Sequence, residues 1–311
     1  MQLKRAGLDL DELELCTPEM LRELLEPTLL PLLRFATRSY IPGPKVENAI
    51  ALADAAQNDG LLATIGYWND GKESPEAVAD IWRRALDAIA AAHPSSFVSL
   101  KIPALHDRLD LAAEIVERAR AANLFVMLDS HAPEQQDANF ALIDRVGARL
   151  IGVATPGRWR RSAKDLERAA ALGVRVRIVK GQWADPDDPN GDLREGFLDT
   201  VDRAAGLGLF VGVATHDAPL AAEAMRRLSN KGSQFEQELV FPLPFAAARA
   251  AAAPFIVPSR LYIPFGEAWL PYSVSRVARD PRILFWLARD LIANHNAHYL
   301  GRASSARRSA P

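Results

Sequence analysis

Residues 206–217 read GLGLFVGVATHD, and the fold turns on what the glycines in this stretch are doing. A doubly wound, dinucleotide-binding sheet would place a G-x-G-x-x-G turn after a strand and at the start of a helix, where backbone N–H groups meet a pyrophosphate. Here Gly206 and Gly208 precede the apolar run and Gly212 lies inside it. That context is wrong for a nucleotide turn. The run therefore reads as one strand of a different α/β architecture, ending in the polar residues Thr215, His216 and Asp217.

Working outward, seven more short β-branched or aromatic runs occur at 61–68, 97–103, 124–129, 149–155, 174–180, 238–243 and 260–264. With 209–215 they make eight, their starts roughly 22 to 36 residues apart, about the length of one βα unit. Alanine-rich segments of helical period separate them. At 76–92, Val78, Ile81, Trp82, Ala85 and Ile89 share one face, and Pro75 after Ser74 marks a helix start. At 109–122 the same pattern is carried by Leu109, Ala112, Ile115, Val116 and Ala119. Eight such units predict an α/β fold, a (β/α)8 barrel over 43–301, since barrels of this kind use about 250 residues. Residues 1–42 are expected to form a helical N-terminal extension, and 302–311 a disordered tail.

Composition narrows the partners. Of 311 residues, 49% are hydrophobic and 24% charged, with a net charge of −2, so no bulk positive charge draws the chain to nucleic acid or an anionic membrane. Cys16 is the single cysteine and reads as a small hydrophobe, since it cannot close an internal disulfide. No run approaches the roughly 20 apolar residues of a membrane span, and the N-terminus is not signal-like. The expectation is a cytoplasmic protein. His295 and His298 lie three apart in NHNAH without acidic or thiol companions, so they are read as a terminal helix and no metal site is expected. No G-x-S-x-G elbow or phosphate loop occurs, which weakens hydrolase and nucleotidase readings.

In a barrel, reactive groups gather at the C-terminal ends of the strands. There the sequence places Lys101 in SLKIPAL, Asp129 in VMLDSH, Arg177 and Lys180 in VRIVKG, His216 in ATHD and Tyr262 in RLYIPFG. Charged groups inside apolar strands are costly unless paired or functional. Five strands with this feature at one end predict a site with a concentration of positive charge. Beyond the last strand, residues 266–281 read GEAWLPYSVSRVARDP; on a helix, Tyr272 and Arg276 share a face, as do Ser275 and Arg279.

These stretches, in this order, resemble the proline dehydrogenase family of flavoenzymes. SLKIPAL, VMLDSH, VRVRIVKG, GVATHD and RLYIPFGEAWLPYSVSRVARDP carry the resemblance, with AIALADAAQNDGLLATIGYW similar to the family's entry into its first strand. It spans roughly residues 36 to 292, and the last two motifs are the specific ones. The resemblance implies a distorted (β/α)8 barrel that holds FAD noncovalently, with its last helix over the mouth. It implies hydride transfer from the ring carbon beside the amine of L-proline to the flavin, giving a cyclic imine, with quinone or another acceptor taking the electrons. Carried over by position, Lys101 and Arg276 match a carboxylate clamp, Asp129 an acid beside the substrate, and Tyr262 and Tyr272 aromatic pocket residues. Arg177, Val179, Lys180, Gly181, Thr215 and His216 match positions around the flavin.

The chain departs from the pattern in places. The family's paired arginines read Ser275 and Arg276, with Arg279 one turn on as a substitute for the missing charge. Gln182 and Trp183 replace a small residue and a tyrosine, Ser130 and His131 stand where an acid is usual, and VATPGRW lacks a flavin-side glutamine. Two explanations are open: a divergent enzyme for free proline, or a changed substrate such as a modified or carrier-attached cyclic amino acid. A different class also stays open, a barrel that has lost its flavin and acts as a nonredox enzyme or binding protein.

Overall fold

The computed structural model describes residues 43–266 apart from Asp70, Gln182, Trp183, Pro242 and Pro244, and within them all eight runs form parallel strands. Strands β1 (Leu62–Tyr67), β2 (Phe97–Leu100), β3 (Phe125–Leu128), β4 (Ile151–Pro156), β5 (Arg175–Val179), β6 (Val211–Ala214), β7 (Phe235–Val240) and β8 (Ser259–Phe265) pair in sequence order. β8 returns to β1, with Leu62 opposite Arg260 and Tyr67 opposite Phe265, so the sheet closes into a barrel without edges. The 1–42 extension, Cys16, the helix expected after β8, His295, His298 and the 302–311 tail lie outside the described residues.

Among the described residues eight α-helices accompany the strands: α1 (Val46–Asn58), α2 (Pro75–Ala92), α3 (Leu109–Ala121), α4 (Gln135–Val146), α5 (Ser162–Leu172), α6 (Leu193–Gly206), α7 (Ala218–Asn230) and α8 (Ala246–Ala252). α2 begins as its sequence predicts, with the Ser74 hydroxyl accepting from the Ala77 N–H and Pro75 in the first turn. Its Val78, Trp82, Ala85 and Ile89 are buried against the barrel. α1 precedes β1 and packs against β8, β1 and α2, filling the outer groove where the ring closes. The Asp54–His93 contact of 2.8 Å and the Arg249 bond to the Asp59 carbonyl fasten its C-terminal half.

Most strand ends fall within two residues of the sequence expectation, and two strands depart from it by three. The second strand ends at Leu100 instead of 103, because Pro103 stops the ladder and Ile102–Leu105 turns into a 3-10 helix. The seventh runs over Phe235–Val240, three residues earlier than 238–243, because the polar residues of FEQELV are inside the strand.

Candidate active site at the barrel mouth

Side chains alternate in and out along each strand, and here the inward ones are unusually polar. Arg175 and Arg177 on β5, Glu236 and Glu238 on β7, and Arg260 and Tyr262 on β8 make two storeys inside the barrel. Their bulk is accommodated by narrow neighbours. A Cβ on Gly212 would strike Glu238 Oε1, and one on Gly66 would strike the Tyr262 hydroxyl.

The upper storey is built on Arg177, whose Nε donates to Glu238 Oε2 at 2.7 Å and whose Nη1 donates to Asp129 Oδ1 at 2.9 Å. The Ser99 hydroxyl donates to the other Asp129 oxygen. Burial alone would raise the Asp129 carboxyl, but the charges on Arg177 and Lys101 and the Ser99 bond outweigh it and hold it below the ordinary carboxylate range. Burial likewise opposes charge on Arg177, and Glu238 and Asp129 more than restore it. The result is a fixed, ionised carboxylate at the foot of the mouth.

Above it lies Lys101, just past the end of β2. Its ammonium donates to the Tyr67 carbonyl at 3.4 Å and the Tyr262 hydroxyl at 3.3 Å, and it sits 5.6 Å from the Trp68 ring centre and 5.9 Å from that of Tyr262. Among the described residues no carboxylate lies within ion-pair distance of it. Lys101, Asp129, His131, Asn69 and Gln135 border a cavity of about 140 Å³, smaller than the roughly 300–1,000 Å³ of drug-sized sites and suited to a small organic molecule. At its rim the poor hydration of the mouth and the charge on Lys101 push the His131 imidazole down to about 4, although the residue reaches solvent, so it is neutral at neutral pH. Gln135 Oε1 accepts from the His131 backbone N–H at 2.7 Å and fixes this loop. Ser130 instead joins Gln136 and Asn139 beneath the mouth.

A second group lies over the ends of β5 and β6. Lys180 Nζ is 3.3 Å from Asp217 Oδ2, and Arg194 reaches the same carboxylate. The Val240 N–H donates to His216 Nε2 at 2.8 Å, and the Thr215 hydroxyl accepts from the Asp217 N–H at 3.2 Å. The Val179 carbonyl accepts from the Gly157 N–H, and Gly181 follows at φ +90°, where an added Cβ would strike the Arg158 stem. Lys180 and Arg194 share the single Asp217 carboxylate, and the net positive charge left there, with the Thr215 hydroxyl beside it, suits an anionic dinucleotide, which the small cavity at Lys101 could not contain.

The predicted residues of β2, β3, β5, β6 and β8 thus converge on one end of the barrel. The expected surplus of positive charge there is largely neutralised, Arg177 by two carboxylates and Lys180 by one. Trp183, Tyr272, Ser275, Arg276 and Arg279 lie outside the described residues. Sequence reasoning missed Ser99, Trp68 and Glu238. The one sequence signal for Ser99 and Glu238 is spacing, two positions from Lys101 and Glu236 on the same strand face, since neither stands out as a charge in an apolar run. Among the described residues no cluster resembles a metal site, and no helix is long and apolar enough to cross a membrane.

The chain matches no family model. It is 24% identical to proline dehydrogenase 1 of Bacillus subtilis over 271 residues, 80% of this chain and 88% of that protein. It is 23% identical to the proline dehydrogenase of Deinococcus radiodurans over 267 residues, 78% of this chain and 86% of that one. Among solved structures, proline utilization A of Bdellovibrio bacteriovorus superposes with a TM-score of 0.67 at 13% identity, over 78% of this chain. The Bradyrhizobium japonicum protein gives 0.66 at 18% identity over 91% of this chain. The chain spans about a third of those longer proteins, 32% and 36%, and at such identities the likeness establishes the barrel fold. Over four fifths of its length the chain is similar in sequence to proline dehydrogenases, and it shares the barrel fold of the proline utilization A structures.

Proposed function

We propose that the chain oxidises L-proline, or a proline-like cyclic amino acid, at the barrel mouth, with FAD as the hydride acceptor. The observation that carries this reading is the meeting of Lys101, Asp129, Arg177 and Tyr262 beside a cavity of small-molecule size. Among the described residues Lys101 is a cation there with no carboxylate in ion-pair range, and it orients the substrate's carboxylate; Arg276 would add the second charge. Orientation of this kind contributes by removing rotational freedom before reaction. Asp129 stays ionised and offers its remaining lone pairs to the amine side of the ring. The amine must be neutral to react, since its lone pair drives out the hydride from the adjacent carbon. Loss of that hydride leaves the protonated cyclic imine, and release of its N–H proton to solvent gives the neutral imine.

FAD, when bound, accepts the hydride and later passes two electrons to quinone or another acceptor. Lys180, Thr215 and His216 are the residues proposed to hold it, with Val179 and Gly181 supplying backbone beside them. Arg177 is proposed to act on it from within its two ion pairs. The departures at Ser275, Trp183 and His131 favour a substrate changed from free proline, and the retained Arg177, Lys180 and His216 favour a flavin enzyme over a flavin-free barrel despite the glutamine missing from VATPGRW.

The test is spectroscopic. Purified protein should absorb at about 450 nm, and anaerobic addition of the right cyclic or N-alkyl amino acid, free or carrier-bound, should bleach that band. A colourless protein that takes up no added FAD would remove the oxidoreductase reading. If the substrate has changed, Ser275→Arg should improve turnover of free proline; efficient turnover of proline by the natural chain would end the changed-substrate version.

A further inference from the structure

The hydrogen bonds around Tyr262 fix where its own proton can go. An indole N–H and an ammonium can only donate. Both end on the phenol oxygen, Trp68 Nε1 at 2.9 Å and Lys101 Nζ at 3.3 Å, which occupies its two lone pairs. Among the described residues the phenol O–H has no acceptor. Lys101 uses one N–H on Tyr67 and one on Tyr262, which leaves the third for the cavity it borders. The phenol is held against β1 by the missing side chain of Gly66, and the Trp68 ring lies 6.3 Å from that of Tyr262 at a tilt of 43°.

We propose that Trp68 is a positioning residue that turns the Tyr262 hydroxyl so that its proton and the third Lys101 N–H form a two-donor clamp for one carboxylate. Two adjacent donors, one of them charged, suit the paired oxygens of a carboxylate in the way an arginine fork does. The clamp supplies a second donor in a pocket whose expected second arginine reads Ser275. A phenylalanine at position 68 would keep the ring and lose the N–H, freeing the phenol to rotate and to donate elsewhere. This deepens the proposed function and rests on its reading that the substrate carries a carboxylate.

The experiment is calorimetric titration of the protein as purified with L-proline, acetate and pyrrolidine, the last lacking the carboxylate. Trp68→Phe should weaken proline and acetate about tenfold and leave pyrrolidine unchanged. Tyr262→Phe should weaken them at least as much, and the double variant should bind no worse than Tyr262→Phe alone, because Trp68 acts through the phenol oxygen. Unchanged carboxylate binding in Trp68→Phe, or losses that multiply in the double variant, would overturn the clamp. So would a wild-type protein that binds no carboxylate. Should Trp68→Phe fail to fold, Tyr262→Phe, which removes only one oxygen, carries the test: full proline affinity there rejects the proposal. If the variants shift carboxylate binding but proline never reduces the flavin, the clamp stands and the reaction assignment falls. If proline is oxidised and the variants bind it normally, the reverse holds.

Discussion

At the scale of single residues, the mouth depends on one buried guanidinium. Arg177 is 5% exposed and joins Asp129 to Glu238, so replacing it leaves two carboxylates facing each other with no cation between them. Arg177→Met should cost about 3–5 kcal/mol in urea unfolding, the range for breaking one side of a buried ion pair. It should also change the pH profile, and the sign follows from the direction of the Asp129 shift. In the natural chain the folded carboxyl titrates below its unfolded value of about 3.9. Its stabilising contribution is therefore complete above that value and is lost only as pH falls through the lower, folded one. Between pH 5 and 8 Asp129 contributes no titration. Without Arg177, burial dominates and the carboxyl moves up, so an acid limb should enter the pH dependence of kcat/KM. Ser99 and Glu238 illustrate why part of this was hidden in the sequence. Lys101 and Asp129 stand out as charges in apolar runs, whereas a serine, or a glutamate in a polar stretch such as FEQELV, carries no such contrast.

At the scale of elements, the strands had to be thinned to admit this chemistry. Gly66 and Gly212 sit in mid-strand, where glycine weakens a ladder, and each faces a large polar side chain on a neighbouring or nearby strand. Gly212→Ala should drive a methyl into Glu238 Oε1, whose carboxylate is held in place by the Arg177 bond to Oε2, and cost about 1–3 kcal/mol as overpacking does. Ser74→Ala is the matched control: loss of the α2 cap should cost about 1 kcal/mol and leave ligand binding alone, because α2 lies outside the barrel wall. A Gly212→Ala variant that lost stability but kept the wild-type affinity for proline would show that the Arg177–Glu238 pair can shift without disturbing Lys101. The same polarity that demands these glycines explains the boundary error at β7. A strand with two inward glutamates does not show the apolar period by which the other seven were found, so only its second half was legible.

At the scale of the whole molecule, barrel closure was legible from the count and spacing of runs, but only part of the barrel's contents was. Lys101, Asp129 and Arg177 stand out in the sequence as charges in apolar runs, whereas Arg175, Arg260, Glu236 and Glu238, which also stand inside the barrel, do not. The lower storey is separate from the mouth. Glu236 takes Arg175 at 2.6 Å and Arg260 at 2.9 Å, and both guanidiniums lie against Phe97, with Phe125 and Phe210 also beside Arg175. Burial pushes the Arg175 pKa below its ordinary value even with Glu236 present, so the cost of charge there is only partly offset. Glu236→Gln would leave two buried guanidiniums sharing a neutral amide, and should destabilise the fold by about 3–5 kcal/mol. Glu236 and Glu238 are two residues apart on one strand, about 7 Å along it, with Arg177 and Asp129 between the lower storey and Lys101. The loss should therefore appear in unfolding and not in the affinity of the remaining folded protein for proline. Equal losses in both measurements would mean that the two storeys behave as one charge network, and that the floor of the barrel sets the geometry of the mouth.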